Sequence, residues 1–196
     1  MHLDRFVVFL CVCITHAASV VVFLCVRITH AASVATLRQA PEAVFKLIKE
    51  FWEKNQNEQT EERWPAGNTY TNHWVAPTYM VSVEDKSLRG GGYKLKKAIW
   101  DAARDTIQGW TGQELTECSL YGIRVYKEGA ILASHVDRLP LVSSAIINVA
   151  QDVDEPWPIE VYGHDGKATN VTMEVRTQTS SVYSFILSVI WVWFAT

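Results

Sequence analysis

Beyond its first 35 residues the chain has one cysteine, Cys118; the other three, Cys11, Cys13 and Cys25, lie in an apolar N-terminal stretch. That scarcity excludes an internal disulfide and a cysteine-based metal site from residues 36–196. Long apolar runs are missing too. A bilayer span needs roughly 20 uninterrupted apolar residues, but His16, Arg27 and His30 break the N-terminal stretch, and residues 183–195 fall short. Basic charge is in deficit, with 18 Lys and Arg against 21 Asp and Glu and a formal net charge of -3. No basic face is then offered to a phosphate backbone, which removes nucleic acid from the expected partners. Gly90-Gly91-Gly92 is followed by no Lys-Ser/Thr pair, so it is not a phosphate loop and reads as a helix-start turn. Ser143-Ser144 lacks the flanking glycines of a serine-hydrolase elbow. Asp152, Asp154 and Glu155 lack the spacing of a calcium loop and read as a solvated turn.

What the chain does have is apolar and aromatic surface. Of its 196 residues, 48% are apolar, with eight Trp and seven each of Tyr and Phe, enough for one domain with one core. Residues 7–20 are followed at once by residues 21–34, the same fourteen residues with Cys13 exchanged for Arg27. Each copy is apolar and ends in small side chains, and Arg5 precedes the first. This is the layout of a secretory signal, so residues 1–35 are expected to be a leader cut near Ala35. The expected location is the secretory pathway, in the endoplasmic reticulum lumen or outside the cell. There the sequon Asn170-Val171-Thr172 makes Asn170 a glycosylation candidate.

The periodicity divides the remainder. Residues 36–57 place Leu37, Val44, Leu47, Ile48 and Phe51 at helical spacing, with Pro41 near the start. Residues 56–72 are polar and read as a loop, and residues 79–83 as a short strand. A second helix is expected over residues 93–110, with Leu95, Ile99, Ala102, Ala103 and Ile107 in one stripe. From Cys118 the period becomes extended, with strands over residues 119–126, 131–137, 142–150, 159–162 and 168–173 and a hairpin turn at Asp165-Gly166. Helices followed by short strands predict an α+β fold. Its helical part spans residues 36–116 and packs on an incomplete jelly-roll, or double-stranded β-helix, in residues 117–174.

The chemistry centres on His135-Val136-Asp137. Residues two apart on a strand share a face, so an imidazole and a carboxylate meet there, two of the three ligands of a facial iron(II) triad. The sequence around them, LYGIRVYKEGAILASHVD over residues 120–137, runs as a strand ending in Tyr126, a glycine turn, a second strand and then His-x-Asp. This order resembles the metal-binding segment of the prolyl 4-hydroxylase type of iron(II)- and 2-oxoglutarate-dependent dioxygenases, over roughly residues 79–174. The resemblance implies iron held by His135 and Asp137, 2-oxoglutarate reached by Tyr126, ascorbate as a further cofactor, and a proline-containing polypeptide as substrate.

After Glu174 the family pattern should continue with a Pro-Gly turn, a strand, a distal His ligand and a basic residue for 2-oxoglutarate. The chain instead reads VRTQTSSVYSFILSVIWVWFAT, without a His and with Arg176 as its one charge. His164, in a turn, and His73, ahead of the sheet, are the other candidates for the third ligand. The expectation is a domain of impaired activity whose residues 175–196 lie outside the family pattern, as translated non-coding sequence would. Two further readings stay open: a non-catalytic secreted module gripping a peptide or glycan with Trp64, Trp74 and Trp157, and a protein associated with membranes through its apolar ends.

Overall fold

The computed structural model describes residues 8–11, 23–27, 35–63, 76–130, 143–154, 158–162, 167–173, 175 and 186–195. Three strands come first: β1 (Val8–Cys11), β2 (Phe23–Arg27) and β3 (Ala35–Arg38). Helix α1 (Glu42–Asn55) then buries Val44, Phe45, Ile48, Phe51, Trp52 and Asn55 along one face. Its outer face carries i,i+4 pairs such as Lys49 with Glu53 at 3.8 Å. The helix starts later than the periodicity suggests because Pro41 stands at its N-cap with ψ 138°. A proline also disfavours helical geometry in the residue before it, so residues 36–40 stay outside.

After α1 come β4 (Thr60–Glu61), β5 (Tyr79–Ser82) and α2 (Tyr93–Thr111). The glycine triplet is a helix-start turn: Gly92 caps α2 with φ 103°, a conformation suited to glycine. The extended run before the glycine turn breaks at Leu120-Tyr121 into β6 (Thr116–Ser119) and β7 (Gly122–Tyr126). The strand expected over residues 131–137 lies outside the described residues. β8 (Ser143–Asp152), β9 (Ile159–Tyr162), β10 (Ala168–Val171) and β11 (Ile186–Ala195) complete the order. Asp165-Gly166 lies outside the described residues, and the strands flanking it, β9 and β10, pair antiparallel.

The described strands form two sheets, all of whose pairings are antiparallel. One has the order β1-β9-β10; the other runs β3-β2-β8-β11-β7-β5-β4, with β6 also pairing β11. The described residues are therefore mixed α+β, two helices with antiparallel sheet. Both helices cover one face of the larger sheet. Val44, Ile48, Phe51, Ile99, Ala103 and Ile107 from the helices share a core with Val81, Ile123, Val125, Ala145, Ile147 and Val149 from the strands. Among the described residues no helix is long and apolar enough to cross a membrane.

Asn55 ties the last turn of α1 to the loop that leads into α2. Buried at the helix end, it donates from Nδ2 to the carbonyls of Phe51 (2.8 Å) and Arg89 (3.0 Å), and its Oδ1 accepts from the Arg89 amide (2.9 Å). Replacing it strands buried backbone groups. Asn55→Ala is expected to cost about 2 kcal/mol, read by denaturant unfolding, with amide exchange rising selectively around Arg89.

Candidate functional site

Strand alternation gives the larger sheet a second, different face. Ile123 and Val125 of β7 point into the helix-covered core, so Arg124 and Tyr126 point the other way. On β8, Ala145, Ile147 and Val149 join the helical core, while Ser144, Ile146 and Asn148 are buried opposite. The register between β8 and β11 shifts between Ser188 and Val189, where Ala150 pairs Ser188 and Asn148 pairs Val189. Val149 is thus the extra residue of a bulge, which is why Val149 and Ala150 both pack toward the helices. The same bulge brings Asn148 and Gln151 to one face, where Asn148 Nδ2 donates to Gln151 Oε1. In an unbulged strand residues three apart would face opposite ways.

Through β11 these residues align in rows. Arg124 pairs with Val189, which pairs with Asn148; Tyr126 pairs with Leu187, which pairs with Gln151. Two strand spacings separate the members of each row, about 9.5 Å. Two polar pairs, Arg124 with Tyr126 and Asn148 with Gln151, therefore flank the β11 positions Val189 and Leu187 on a buried face that Ile146 shares, and this face is called the polar band below.

At its other end the band is closed by Glu62, just after β4. Arg124 donates from Nε to Glu62 Oε2 (2.6 Å) and from Nη2 to Oε1 (2.9 Å), a two-pronged pair. The Glu62 amide donates to the Thr78 carbonyl (2.9 Å), and the Thr78 hydroxyl returns a bond to Oε2 (2.6 Å). Both charged side chains are nearly out of water, at 13% and 11% exposure, and Tyr126 is at 3%. Burial on its own would lower the Arg124 guanidinium. The Tyr126 oxygen and the Glu62 carboxylate outweigh it and hold the group above its ordinary value. Gly122, two residues before Arg124, admits no side chain, since a Cβ there would collide with the Val81 carbonyl oxygen of β5.

Of the residues singled out from sequence, Tyr126 is thus in the band and buried. His135 and Asp137 lie outside the described residues, as do His73, His164, Trp64, Trp74 and Trp157. Asn170 is exposed on β10, opposite Glu160 of β9, where its amide is open to solvent. Among the described residues no three His, Cys, Asp or Glu side chains cluster as metal ligands would. Sequence reading missed Glu62, which falls in a stretch taken as loop, and Arg124. The period-two argument applied to His135 and Asp137 pairs Arg124 with Tyr126 in the same way. No protein-family model, curated protein or solved structure matches the chain.

Two outcomes follow for stability. Arg124→Met alone leaves Glu62 buried without its partner and is expected to cost about 3–5 kcal/mol, whereas Glu62→Leu/Arg124→Met should be neutral or stabilising, as read by urea unfolding. At the end of β8, burial and then the charge of Asp154 raise the Asp152 carboxyl above its ordinary value. The folded chain then binds that proton more tightly than the unfolded chain, so this contribution to stability is lost as pH rises through the carboxylate range. Asp152→Asn should therefore raise the melting midpoint at neutral pH and leave it unchanged in strong acid.

Proposed function

We propose that the chain is an iron(II)- and 2-oxoglutarate-dependent dioxygenase-type domain, related to the prolyl 4-hydroxylases and impaired in this form. The observation that carries the reading is the setting of Tyr126: a phenol at 3% exposure beside a guanidinium on the helix-free face of the sheet. A phenol is a hydrogen-bond donor suited to a carboxylate, which fits the 2-oxoglutarate that the sequence resemblance assigns to Tyr126, while the guanidinium is engaged by Glu62. The strand order supports a jelly-roll. β7 and β8 lie in the larger sheet with β11 between them, and the chain then moves to the other sheet for β9 and β10. Exchange of strands between two antiparallel sheets is the habit of that architecture.

His135 and Asp137 would hold the iron. When bound, the metal and 2-oxoglutarate supply oxidation of an unactivated C–H bond by molecular oxygen, with loss of carbon dioxide from the oxoglutarate. The residues of the chain bind and orient. Tyr126 donates to the far carboxylate, and the buried sheet face keeps water from it. Ascorbate as a reductant and a proline-containing polypeptide as substrate complete the proposal, with residues 1–35 as a leader into the secretory pathway whose removal would take β1 and β2 out of the sheets. Two protein ligands hold iron weakly, and no basic residue follows a distal His to support the oxoglutarate. Turnover is therefore expected to be low.

Calorimetry of the full chain with Fe(II) under argon should show 2-oxoglutarate binding that requires the metal and weakens at least about tenfold in His135→Ala and in Tyr126→Phe. Release of carbon dioxide in air should stay close to background. Binding that ignores the metal and both substitutions, or no binding at all, would transfer support to a non-catalytic binding module.

A further inference from the structure

The fourteen-residue repeat enters the fold at two different places. β1 lies in the first copy and pairs with β9, whereas β2 lies in the second copy and pairs with β8. Yet Phe9-Leu10-Cys11-Val12 has the same sequence as Phe23-Leu24-Cys25-Val26, and residues 22–25 repeat Val8–Cys11. An edge is paired through backbone amides and carbonyls, and only side chains tell one partner strand from another. Copies that share a sequence are equal candidates for either edge. We propose that the two copies are alternative occupants of the β8 edge, with Phe23–Arg27 in place in the major arrangement and residues 9–13 in the same register in a minor one.

In the minor arrangement Leu10, Cys11 and Val12 stand opposite Ile146, Ala145 and Ser144, where Leu24, Cys25 and Val26 stand in the major one. Cys13 replaces Arg27 opposite Ser143, at the end of the pairing, and is the one position at which the occupants differ. The displaced second copy offers residues 22–25 to β9. What separates the arrangements is chain connection. β3 pairs with the occupant of the β8 edge, Ala35 opposite Val26. Exchange lengthens the loop closed by that pair from residues 27–34 to residues 13–34, about threefold. Closure entropy grows as three-halves of the logarithm of loop length, which favours the second copy by roughly fivefold. The consequence is protection: an open β8 edge would present unpaired groups to another chain, and a spare copy covers it when the first occupant leaves. The inference concerns the full chain and does not rest on the dioxygenase reading; cleavage near Ala35 would remove both occupants.

The experiment places a thiol opposite both candidates. Residues directly opposite on antiparallel strands have Cα atoms about 4.5–5.5 Å apart, within the span of a disulfide. The full chain carries Ala145→Cys, Cys118→Ser to remove the remaining thiol, and Cys13→Arg, which makes the copies identical and lets trypsin separate Cys11 from Cys25. Circular dichroism checks folding, the chain is equilibrated in a glutathione redox buffer, and mass spectrometry of the digest measures which cysteine is bridged to position 145. The bridge to Cys25 should be about five times as abundant as the bridge to Cys11. A bridge to Cys11 more than about tenfold below that share overturns the exchange. Equal bridging overturns it as well, since two copies tethered loosely by loops of similar length would react alike. So does bridging to neither, because no copy then occupies the edge. Should Ala145→Cys fail to fold, the next pair in the register is read the same way: Ser144→Cys with Val12→Cys and Val26→Cys, in a chain that keeps Cys13→Arg and has Cys11, Cys25 and Cys118 replaced by serine.

Discussion

A guanidinium taken out of water has to be paired, and Arg124 meets that demand through Glu62. One strand, β7, carries the arginine; the residue just after β4 carries the carboxylate; Thr78, just before β5, holds the carboxylate in place. The requirement therefore fixes three elements at the β4 end of the larger sheet relative to one another. It also fixes which way β7 faces, because alternation sends Ile123 and Val125 to the helices whenever Arg124 and Tyr126 turn to Glu62. A slip of one residue would put the guanidinium into the apolar core. The ion pair thus contributes more to register than to net stability, since desolvation consumes most of its Coulomb energy.

The bulge at Val149 has a comparable effect on the other side of β11. It lets β8 present two consecutive apolar residues to the helices and still bring Asn148 and Gln151 together on the opposite face. With the rows Arg124–Val189–Asn148 and Tyr126–Leu187–Gln151, the two edges of the polar band are set by backbone pairing. The helix-covered face, by contrast, is apolar throughout the shared core. One sheet thus separates an apolar, helix-covered face from a face that carries buried polar side chains.

The helices and strands β5, β7, β8, β9 and β10 were legible because they rest on local periodicity, whereas β1 and β2 were read as leader, β3 as the start of a helix, β4 as loop and β11 as a tail outside the fold. α2 starts where the glycines place it, and β5, β9 and the body of β8 fall where alternation and apolar runs suggest. The start of α1 was read too early because the spacing of Leu37 was allowed to outweigh Pro41. The break between β6 and β7 was missed because Leu120-Tyr121 itself holds no glycine or proline, and only the pairing shows it, with β6 and β7 meeting separate stretches of β11. Of the site, Tyr126 was legible through the surrounding motif. Glu62 was not, because its role depends on a partner 62 residues away, a long-range contact that no local pattern encodes.

The placement of β8 shows what the sheet asks of its neighbours. Ser144, Ala145, Ile146, Ile147, Asn148 and Val149 are all buried, so both faces of the strand are taken up and its two edges need backbone partners. Those partners are β2, from the duplicated N-terminal stretch, and β11, from the apolar residues 186–195. What an edge requires is a row of amide and carbonyl groups on a segment that tolerates burial, and both segments are apolar enough to supply it. Their presence in the sheet therefore follows from hydrophobicity and length alone. The polar band makes a narrower demand: Arg124 and Tyr126 must face away from the helices and Glu62 must return to meet them. It is this part of the structure, set by specific side chains and not by general apolarity, on which a functional reading has to stand.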